Sequence, residues 1–428
     1  MKIVIENTKL VNTGDAAILE GTIKICRIAF GPNTEIRIAD QDPAVTKSLY
    51  PEIISFGQLT SLISKMLVFR IIARLNGWKN LYPIFSRFVA TFETLYRISP
   101  ILVPRKVRRA IQESSEADLR LTAGGTFISN HYGAYRIAAE FGKKSAEHVP
   151  LIFMTQTIES FENNMAFADL GKIMMASPLM LLRDETSEAL VHELSGRADN
   201  IRVVPDAAFA LAEPMALKAR INDPRISKQP KIAISLRSWR FFKTRSNQEG
   251  MAAYKASVQR LATDLVTRHN AKLLFVSTCQ GRPEYEYDDS AVAIEFVSEL
   301  PEAVRAHITV DRDFRTPTGI LGLLEDVDGV IATRMHMAIL SLCKGLPVMP
   351  IAYERKTKDL FAKMGMNDIV LDIETMSPEV TSARLESFMK DLPSWRQNAA
   401  KETLKLHLEA CQTARHLSQA WDRTKNGK

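Results

Sequence analysis

The chain has 428 residues, which is too long for one ordinary hydrophobic core, so we expect two domains. Its apolar content of 46% and charged content of 25% are typical of a soluble globular protein, and it lacks the run of 18 apolar residues that would predict a membrane-spanning helix. The four cysteines are scattered singly without the spacing of a metal site, which favours free thiols in a reducing compartment. These properties predict a cytoplasmic protein.

Strand patterns alternate with helical patterns along both halves of the chain. In the first half the strand patterns are "KIVIE", "TEIRIAD", "ADLRLTAGG", "VPLIFMTQT", "SPLMLLRD" and "NIRVVPDAAFAL". Three prolines between residues 212 and 230 suggest a linker, and the strand patterns "KIAISLR", "AKLLFVSTC", "HITVD", "GVIAT" and "LPVMPIAY" follow it. Such β/α units predict two Rossmann-like parallel-sheet domains facing each other across a cleft, with ligands at the carboxyl ends of the strands. We place these domains at residues 1–215 and 216–376, followed by C-terminal helices at 377–428.

The segment from residue 55 to residue 111, called the basic segment below, holds the chain's excess of positive charge. It contains ten Lys and Arg residues and a single acid, Glu93, with apolar residues at helical spacing as in "LISKMLVFRIIARL". A basic amphipathic helix indicates contact with the surface of an anionic membrane. The alternative is a helical cap on the core with a solvated basic face. No recognised binding motif accompanies the charge, so we expect no nucleic-acid partner.

Two loops at strand ends in the first half have the composition of ligand-binding turns. In "NTGDAA", which begins at Asn12, Gly14 allows a tight turn, Asp15 can cap the following helix, and free backbone N–H groups suit an anion. A plain helix cap is the alternative explanation. In "TAGGTF", Gly124 and Gly125 end a strand, where the backbone must approach a ligand or another loop.

Cations and a histidine end three strand patterns in the second half. Arg237 ends "ISLR", Arg334 and His336 follow "GVIAT", and Tyr353 and Lys356 follow "LPVMPIA". Singly, an arginine here is usually a surface residue, and a histidine on an apolar helix is often a satisfied core residue. Together at one edge of a predicted sheet, they predict a site for a small dianion or trianion.

These motifs, in this order, resemble those of the polysaccharide pyruvyltransferase family, in particular the enzymes that pyruvylate colanic acid and related bacterial exopolysaccharides. The resemblance spans nearly the whole chain, and its most specific part is "TRMHMAI" followed by "IAYERK". The remaining matches are the stretch Asn12, Gly14, Asp15, Ala17 and Ile18, the stretch Gly124 to Phe127, the stretch Arg183, Asp184 and Ser187, the Pro-Asp of "VVPDAAF", and the segments "AISLR" and "VSTCQG".

One loop departs from the family pattern. Members usually carry Gly-Gln-Ser-x-Gly-Pro-Phe, whereas this chain has "TQTIESF" at residues 155–161. Gln156 and Phe161 are kept, while both glycines, the serine and the proline are replaced. If this loop shapes the acceptor site, the departure predicts a different acceptor sugar.

The resemblance implies a GT-B-like architecture, phosphoenolpyruvate as donor, and a cyclic pyruvate ketal on two hydroxyls of one sugar as product. Phosphoenolpyruvate carries roughly three negative charges near neutral pH. Arginine matches carboxylate and phosphate with two parallel hydrogen bonds, so Arg237 and Arg334 are the expected clamp. His336 is the expected proton donor or the group that stabilises the departing phosphate, and Asp15 is the candidate base for the sugar hydroxyl.

The same resemblance completes the expected binding site and the partners. The other expected substrate-binding residues are Lys356, Tyr353, Asn12, Gly14, Gly124 and Gly125. We expect no metal and no cofactor besides the donor substrate, and a saccharide acceptor on a lipid carrier at the inner face of the cytoplasmic membrane, where the basic segment would provide peripheral contact. The alternatives are a GT-B nucleotide-sugar glycosyltransferase and a non-catalytic scaffold on the membrane surface.

Overall fold

The computed structural model describes residues 1–78, 81–129, 134–159, 165–195 and 199–426, and all structural statements below concern these residues. The chain divides into two compact units. The first unit comprises Met1–Leu10, Ile18–Ala210 and Glu409–Lys428, and the second comprises Val11–Ala17 and Leu211–Leu408. Compared with the boundaries expected from the sequence, the division falls at Leu211, the short segment after the first strand joins the second unit, and the C-terminal helices do not form a unit of their own.

The first unit is built on a parallel sheet that has eight strands within the described residues. The strands are β1 (Lys2–Thr8), β2 (Glu35–Asp40), β3 (Ser55–Gly57), β4 (Leu119–Thr122), β5 (Gly125–Ile128), β6 (Leu151–Ile158), β7 (Met180–Leu182) and β8 (Ile201–Val203). Their order is β3-β2-β1-β4-β6-β7-β8, with β5 paired to β6. All eight residues of β6 are buried, as expected for a central parallel strand covered on both faces.

Helices connect these strands. They are α1 (Thr13–Phe30), α2 (Pro43–Leu49), α3 (Leu59–Ser64), α4 (Leu67–Leu75), α5 (Leu81–Ile98), α6 (Arg105–Ser115), α7 (Ala134–Phe141), α8 (Met165–Ala176) and α9 (Glu185–Ser195). The expected strand "NIRVVPDAAFAL" is shorter than predicted, because β8 ends at Val203 and a 3-10 helix covers Ala207–Leu211.

The basic segment forms β3, the helices α3 to α5, and the first half of α6. One side of it supplies core side chains, since Phe69, Phe85, Val89 and Val107 are all buried in the hydrophobic cluster of the first unit. This part of the segment therefore caps the core, as the alternative interpretation predicted. The segment also has a second, exposed side, which is described below; its Lys79 lies outside the described residues.

A buried cluster of charges fixes the centre of the first unit. Glu6 on β1 forms ion pairs with Arg120 on β4 at 2.9 Å and with Lys143 at 2.8 Å, and Lys143 also pairs with Glu140 on α7 at 2.7 Å. All four side chains are 2% exposed or less. Burial alone would raise the pKa of Glu6, but the two cations lower it to about 2. Since hydrogen-bonded opposite charges surround it, this carboxylate stays ionised inside the core.

The second unit contains a separate parallel sheet with six strands in the described part of the chain. The strands are β9 (Lys231–Ser235), β10 (Lys272–Phe275), β11 (Ile308–Val310), β12 (Gly329–Ala332), β13 (Val348–Ala352) and β14 (Leu371–Asp372), in the order β11-β10-β9-β12-β13-β14. The helices are α10 (Pro214–Asn222), α11 (Asn247–His269), α12 (Asp289–Ser298), α13 (Glu302–Arg305), α14 (Pro317–Leu323), α15 (Met335–Cys343), α16 (Arg355–Lys363), α17 (Pro378–Lys390) and α18 (Leu392–Asn426). The last of them, α18, begins in the second unit, and its residues from Glu409 onward belong to the first.

The prediction of two parallel-sheet α/β domains is thus confirmed. The stretch with three prolines that was expected to be a linker contains the helix α10. Pro214 lies in the first turn of this helix, where proline is tolerated because a backbone N–H there would have no partner within the helix. No described helix is both long enough and apolar enough to cross a bilayer.

Candidate functional site

The carboxyl ends of three adjacent strands in the second unit bring the expected cations together. Strands β9, β12 and β13 are neighbours and parallel, so the loops that follow them lie side by side at one edge of the sheet. Arg237 follows β9, Arg334 follows β12 and Tyr353 follows β13.

Arg237 is held by two aromatic rings. The guanidinium carbon lies 4.9 Å from the centre of the Trp239 ring and 4.3 Å from that of Tyr353, and these two rings are 4.5 Å apart. Its Nε donates to the backbone oxygen of Ser238 at 3.3 Å. Among the described residues, no carboxylate forms an ion pair with Arg237, so aromatic faces rather than an anion fix this half-buried cation.

Arg334, in contrast, is paired with a carboxylate that the sequence analysis did not single out. Its Nε donates to Oδ2 of Asp289 at 2.8 Å and its Nη2 donates to Oδ1 at 2.7 Å. Both side chains are buried, with Arg334 9% exposed. Burial alone would lower the pKa of Arg334, but the Asp289 carboxylate raises it well above its ordinary value. Arg334 is therefore a permanent cation in a fixed position.

Asp289 is itself oriented by the loop between β10 and α12. The Ser277 hydroxyl donates to Asp289 Oδ2 at 2.5 Å, and the Asp289 backbone N–H donates to the carbonyl of Cys279 at 2.8 Å. The Arg334 guanidinium carbon also lies 5.7 Å from the centre of the Tyr287 ring. The chain that follows β10 therefore holds the side chain of Arg334, although Arg334 itself follows β12.

His336 lies in the first turn of α15, and Gly14 packs directly against it. A Cβ atom placed on Gly14 would lie 2.8 Å from Nδ1 of His336 and 2.9 Å from its Cβ, closer than real atoms approach. Gly14 has no positive φ, so this position does not need glycine for its backbone conformation. Its lack of a side chain makes room for the imidazole.

The loop around Gly14 is fixed by hydrogen bonds within the second unit. Asn12 Oδ1 accepts from the backbone N–H of Gly14 at 2.8 Å and, more weakly, from that of Asp15 at 3.4 Å, so Asn12 caps α1. The Asn12 amide also donates to Tyr285 Oη at 3.1 Å, and the Thr13 N–H donates to the carbonyl of Thr278 at 3.0 Å. These bonds fix the start of α1 against the loop that follows β10.

The buried thiol of Cys279 is near enough to these charged groups for them to affect its pKa. Burial raises its pKa to about 11; the nearby charges of Asp289 and Asp15 act in the same direction, whereas Arg334 and Arg237 oppose them. All four charges are thus close enough to affect one buried side chain. Among the expected site residues, the structure brings Asn12, Gly14, Asp15, Arg237, Arg334, His336 and Tyr353 together.

Three expected site residues have contacts or a backbone conformation that account for them without a ligand. The ammonium group of Lys356, on α16, pairs with Glu354 at 2.5 Å. Gly124 and Gly125 belong to the first unit: a Cβ on Gly124 would lie 2.3 Å from Oγ1 of Thr155, and Gly125 has φ of +137°. The neighbouring strand β6, which carries Thr155, therefore explains the close approach at Gly124, and left-handed backbone explains Gly125.

Two motifs of the first unit bond to each other. Arg183, after β7, forms an ion pair with Asp206 and donates from Nε to Thr157 Oγ1 at 2.9 Å and from Nη2 to Thr126 Oγ1 at 3.1 Å. The stretch that departs from the family pattern is not a loop at its start, because its residues 155–158 belong to β6, where Gln156 is buried and donates to Thr122 Oγ1 at 2.9 Å. These residues join the ends of neighbouring strands. Phe161, also noted in that stretch, lies outside the described residues.

Comparison with known proteins decides the family. A family model described as polysaccharide pyruvyl transferase matches residues 12–355, which include every residue of the site described above. The chain belongs to the polysaccharide pyruvyl transferase family. The amylovoran biosynthesis protein AmsJ of Erwinia amylovora is 22% identical to this chain over 313 residues, an alignment that covers 70% of this chain and 72% of AmsJ.

Solved structures agree on the fold. S. aureus MnaA with UDP has a TM-score of 0.55 at 10% identity, covering 94% of this chain and 91% of that chain. HepE from Anabaena, in complex with UDP-glucose, has a TM-score of 0.53 at 13% identity and covers both chains completely. The family member described here therefore has a GT-B-like fold. Sequence analysis missed Asp289, Trp239 and Tyr285, although the two aromatic residues stand in the loops that follow β9 and β10.

Proposed function

We propose that this chain transfers the pyruvyl group of phosphoenolpyruvate to two hydroxyls of one sugar in an exopolysaccharide repeat unit. The observation that carries the proposal is the pair of guanidinium groups at one sheet edge, next to His336 and Asp15. The family supports a pyruvyl transferase, and AmsJ is described as a biosynthesis protein of the polysaccharide amylovoran.

The donor is bound as an anion at this edge. Arg237 makes no ion pair with any described carboxylate, so its hydrogen-bonding edge is the one to receive the carboxylate or phosphate of the donor. Arg334 is already bonded to Asp289 through Nε and Nη2, and it contributes charge and its remaining N–H groups. Arg237 thus binds the donor directly, and Arg334 provides a fixed positive charge beside it.

The chemistry is a proton transfer followed by two additions. His336 delivers a proton to the methylene carbon of phosphoenolpyruvate, which becomes a methyl group and leaves cationic character at C2. One sugar hydroxyl attacks C2 and gives its proton to Asp15. The bond from C2 to the phosphate oxygen breaks, inorganic phosphate leaves, and the second hydroxyl closes the ketal and loses its proton. Of the two hydroxyl protons, one replaces the proton that His336 gave to the methylene carbon, and the other protonates the leaving phosphate. This route requires no metal and no further cofactor.

The acceptor is a saccharide on a lipid carrier at the inner face of the cytoplasmic membrane. The altered stretch at residues 155–161, which begins on β6, lacks the glycines of its relatives, so we propose an acceptor sugar different from theirs. Enzyme and acceptor then meet at a membrane surface, to which the protein binds peripherally.

Deletion of the gene tests this function in the organism that encodes it. The secreted polysaccharide should lose the methyl resonance of the pyruvate ketal in its proton NMR spectrum, and the wild-type gene should restore it. A His336→Ala gene should fail to restore the signal although the protein accumulates normally. A polysaccharide that keeps its ketal and instead lacks one sugar would favour nucleotide-sugar glycosyl transfer and would refute the proposal.

A further inference from the structure

Helix α4 in the basic segment turns most of its apolar side chains toward solvent. Leu67 is 71% exposed and Leu75 is 83% exposed, and Val68, Ile71 and Ile72 are exposed as well. With about 100° of rotation per residue, these five side chains cover an arc of about 140° around the helix. A helix at the surface of a globular protein normally presents polar residues there.

The opposite side of α4 anchors it to the protein. Phe69 is 1% exposed and its ring centre lies 4.3 Å from that of Phe85 and 5.5 Å from that of Phe88, both on α5. Ala73, one turn later, is completely buried. The helix is therefore held by one side, and its exposed apolar arc is a stable feature of the fold.

Cations flank this arc. Arg70 and Arg74 are exposed, and on the helix they lie between the buried side and the apolar arc. Neither forms an ion pair with a described carboxylate. The segment's single acid, Glu93, is buried and accepts hydrogen bonds from the backbone N–H and the hydroxyl of Ser145 at 2.8 and 2.6 Å. No acid of the segment therefore offsets the charge at its surface.

Two further features continue the same chemistry. Trp78, directly after α4, is 55% exposed, and an indole ring is suited to the boundary between headgroups and acyl chains. At the junction of α5 and α6, Ile98, Ile101 and Leu102 are exposed. They stand in sequence among the exposed cations Arg97, Arg105 and Lys106.

We propose that α4 and Trp78 form the face by which this protein binds an anionic lipid bilayer, with the apolar arc at the headgroup–acyl boundary and the arginines on lipid phosphates. A second copy of the chain is the poorer occupant, because it would bring uncompensated arginines from both copies into one interface. The inference deepens the peripheral association and in that respect rests on the proposed function, but its test needs no substrate.

Vesicle flotation of the full chain tests the proposal. The wild type should bind vesicles of phosphatidylcholine mixed with phosphatidylglycerol, and bind pure phosphatidylcholine much more weakly. The triple change Leu67→Gln, Ile71→Gln and Leu75→Gln should weaken binding at least about tenfold, because each methylene group buried in the bilayer contributes about 0.8 kcal/mol to the binding free energy. The double change Arg70→Gln and Arg74→Gln should weaken binding to the mixed vesicles by about fivefold per charge. It should leave binding to pure phosphatidylcholine vesicles unchanged.

Matched controls separate this face from general stickiness and from misfolding. Met215, Val380 and Leu408 are similarly exposed apolar residues of the second unit, and changing all three to Gln should leave vesicle binding unchanged. The melting temperature of the triple α4 variant should equal that of the wild type, since its changed side chains are exposed. In otherwise unchanged protein, tryptophan emission should shift to the blue on mixed vesicles, and Trp78→Phe should abolish the shift.

Several results would overturn the docking face. They are a wild type that does not bind mixed vesicles, a triple α4 variant that binds them as well as the wild type, or a wild-type dimer that this variant converts to monomer without any vesicle binding. Stabilisation by phosphoenolpyruvate is measured separately on the same proteins. Its loss with retained vesicle binding would count against the proposed function alone, and the reverse would count against this face alone.

Discussion

Arg334 and Asp289 form a buried ion pair with two hydrogen bonds, at 2.8 and 2.7 Å, that links the loops after β12 and β10 across the intervening β9. Breaking such a pair on one side leaves an uncompensated buried charge, which is strongly unfavourable. The pair therefore makes Asp289 a positioning residue for Arg334, and under the proposed function it would act on the donor only through Arg334.

Asp289→Asn should reduce both stability and donor affinity. The uncompensated guanidinium should lower the free energy of unfolding by about 3 kcal/mol. Affinity for phosphoenolpyruvate should fall because Arg334 loses its fixed position, and the same change in an Arg334→Gln background should have a much smaller effect on affinity. Urea unfolding and calorimetric titration of the single and double variants measure both quantities.

Asp288→Asn is the matched control for this prediction. Asp288 caps α12 by accepting from the backbone N–H of Ser290 at 3.0 Å, and Asn caps helices equally well. Stability and donor affinity should both stay at wild-type values. Equal losses of donor affinity for Asp289→Asn with and without Arg334 would show that Asp289 does not act through Arg334.

Arg237→Lys should weaken phosphoenolpyruvate binding roughly ten- to hundredfold, because an ammonium group neither stacks as a plane against Trp239 and Tyr353 nor offers two parallel hydrogen bonds. Tyr353→Phe keeps the aromatic face and should bind the donor as the wild type does. Calorimetric titration gives both dissociation constants. Wild-type affinity in Arg237→Lys would mean that a simple positive charge suffices and that stacking has no role.

Gly14→Ala should reduce ketal formation at least about tenfold, since the new methyl group displaces His336 from its position. Overpacking at this site should lower stability by about 1–3 kcal/mol, which a folded domain tolerates. The control is Gly322→Ala on α14, where an added Cβ meets nothing within 4 Å. Ketal content of the complemented deletion strain and melting temperature are the measurements. Normal ketal content with Gly14→Ala would remove His336 from the mechanism.

The buried cluster around Glu6 should make the first unit sensitive to acid. The folded-state pKa of Glu6 is about 2, below its ordinary value of 4.5, so its contribution to stability is present above pH 4.5 and is lost as the pH falls from 4.5 toward 2. Glu6→Gln should lower the free energy of unfolding by about 3–5 kcal/mol at neutral pH and make it less dependent on pH in that window.

Urea unfolding across this pH range measures the effect of Glu6→Gln. Glu35→Gln on the adjacent strand is the control, because this carboxylate is exposed and its pair with Arg37 should contribute less than about 1 kcal/mol. If Glu6→Gln is as stable as the control at neutral pH, the buried cations must find other partners.

Sequence patterns predicted the features of this protein that depend on residues close together along the chain. Periodic apolar runs predicted the strands, and polar residues at strand ends predicted Arg237, Arg334 and Tyr353 at one sheet edge. Asp289 escaped prediction because it lies in an acidic stretch, "EYEYDDS", and only tertiary structure selects which acid reaches Arg334. Gly14 was noted for a turn, but its reason is contact with a residue more than 300 positions away.

The basic segment shows a second limit of sequence patterns. Periodicity indicates that α4 is amphipathic, but it does not tell which apolar residues face the core. Phe69 and Ala73 are buried while Leu67 and Leu75 are exposed, and this choice is made by packing against Phe85 on α5. The cap interpretation describes the buried side of the segment, and contact with an anionic membrane stays a prediction for its exposed side.

A thermal titration of the purified protein tests the central proposal most directly. A ligand that binds only the folded state at a hundred times its dissociation constant stabilises it by about 2.7 kcal/mol, which raises the melting temperature measurably. Phosphoenolpyruvate should raise the melting temperature of the wild type, Arg237→Ala should abolish the rise, and UDP-sugars should have no effect. A rise with UDP-sugars and none with phosphoenolpyruvate would contradict pyruvyl transfer and assign this sheet edge to a nucleotide sugar.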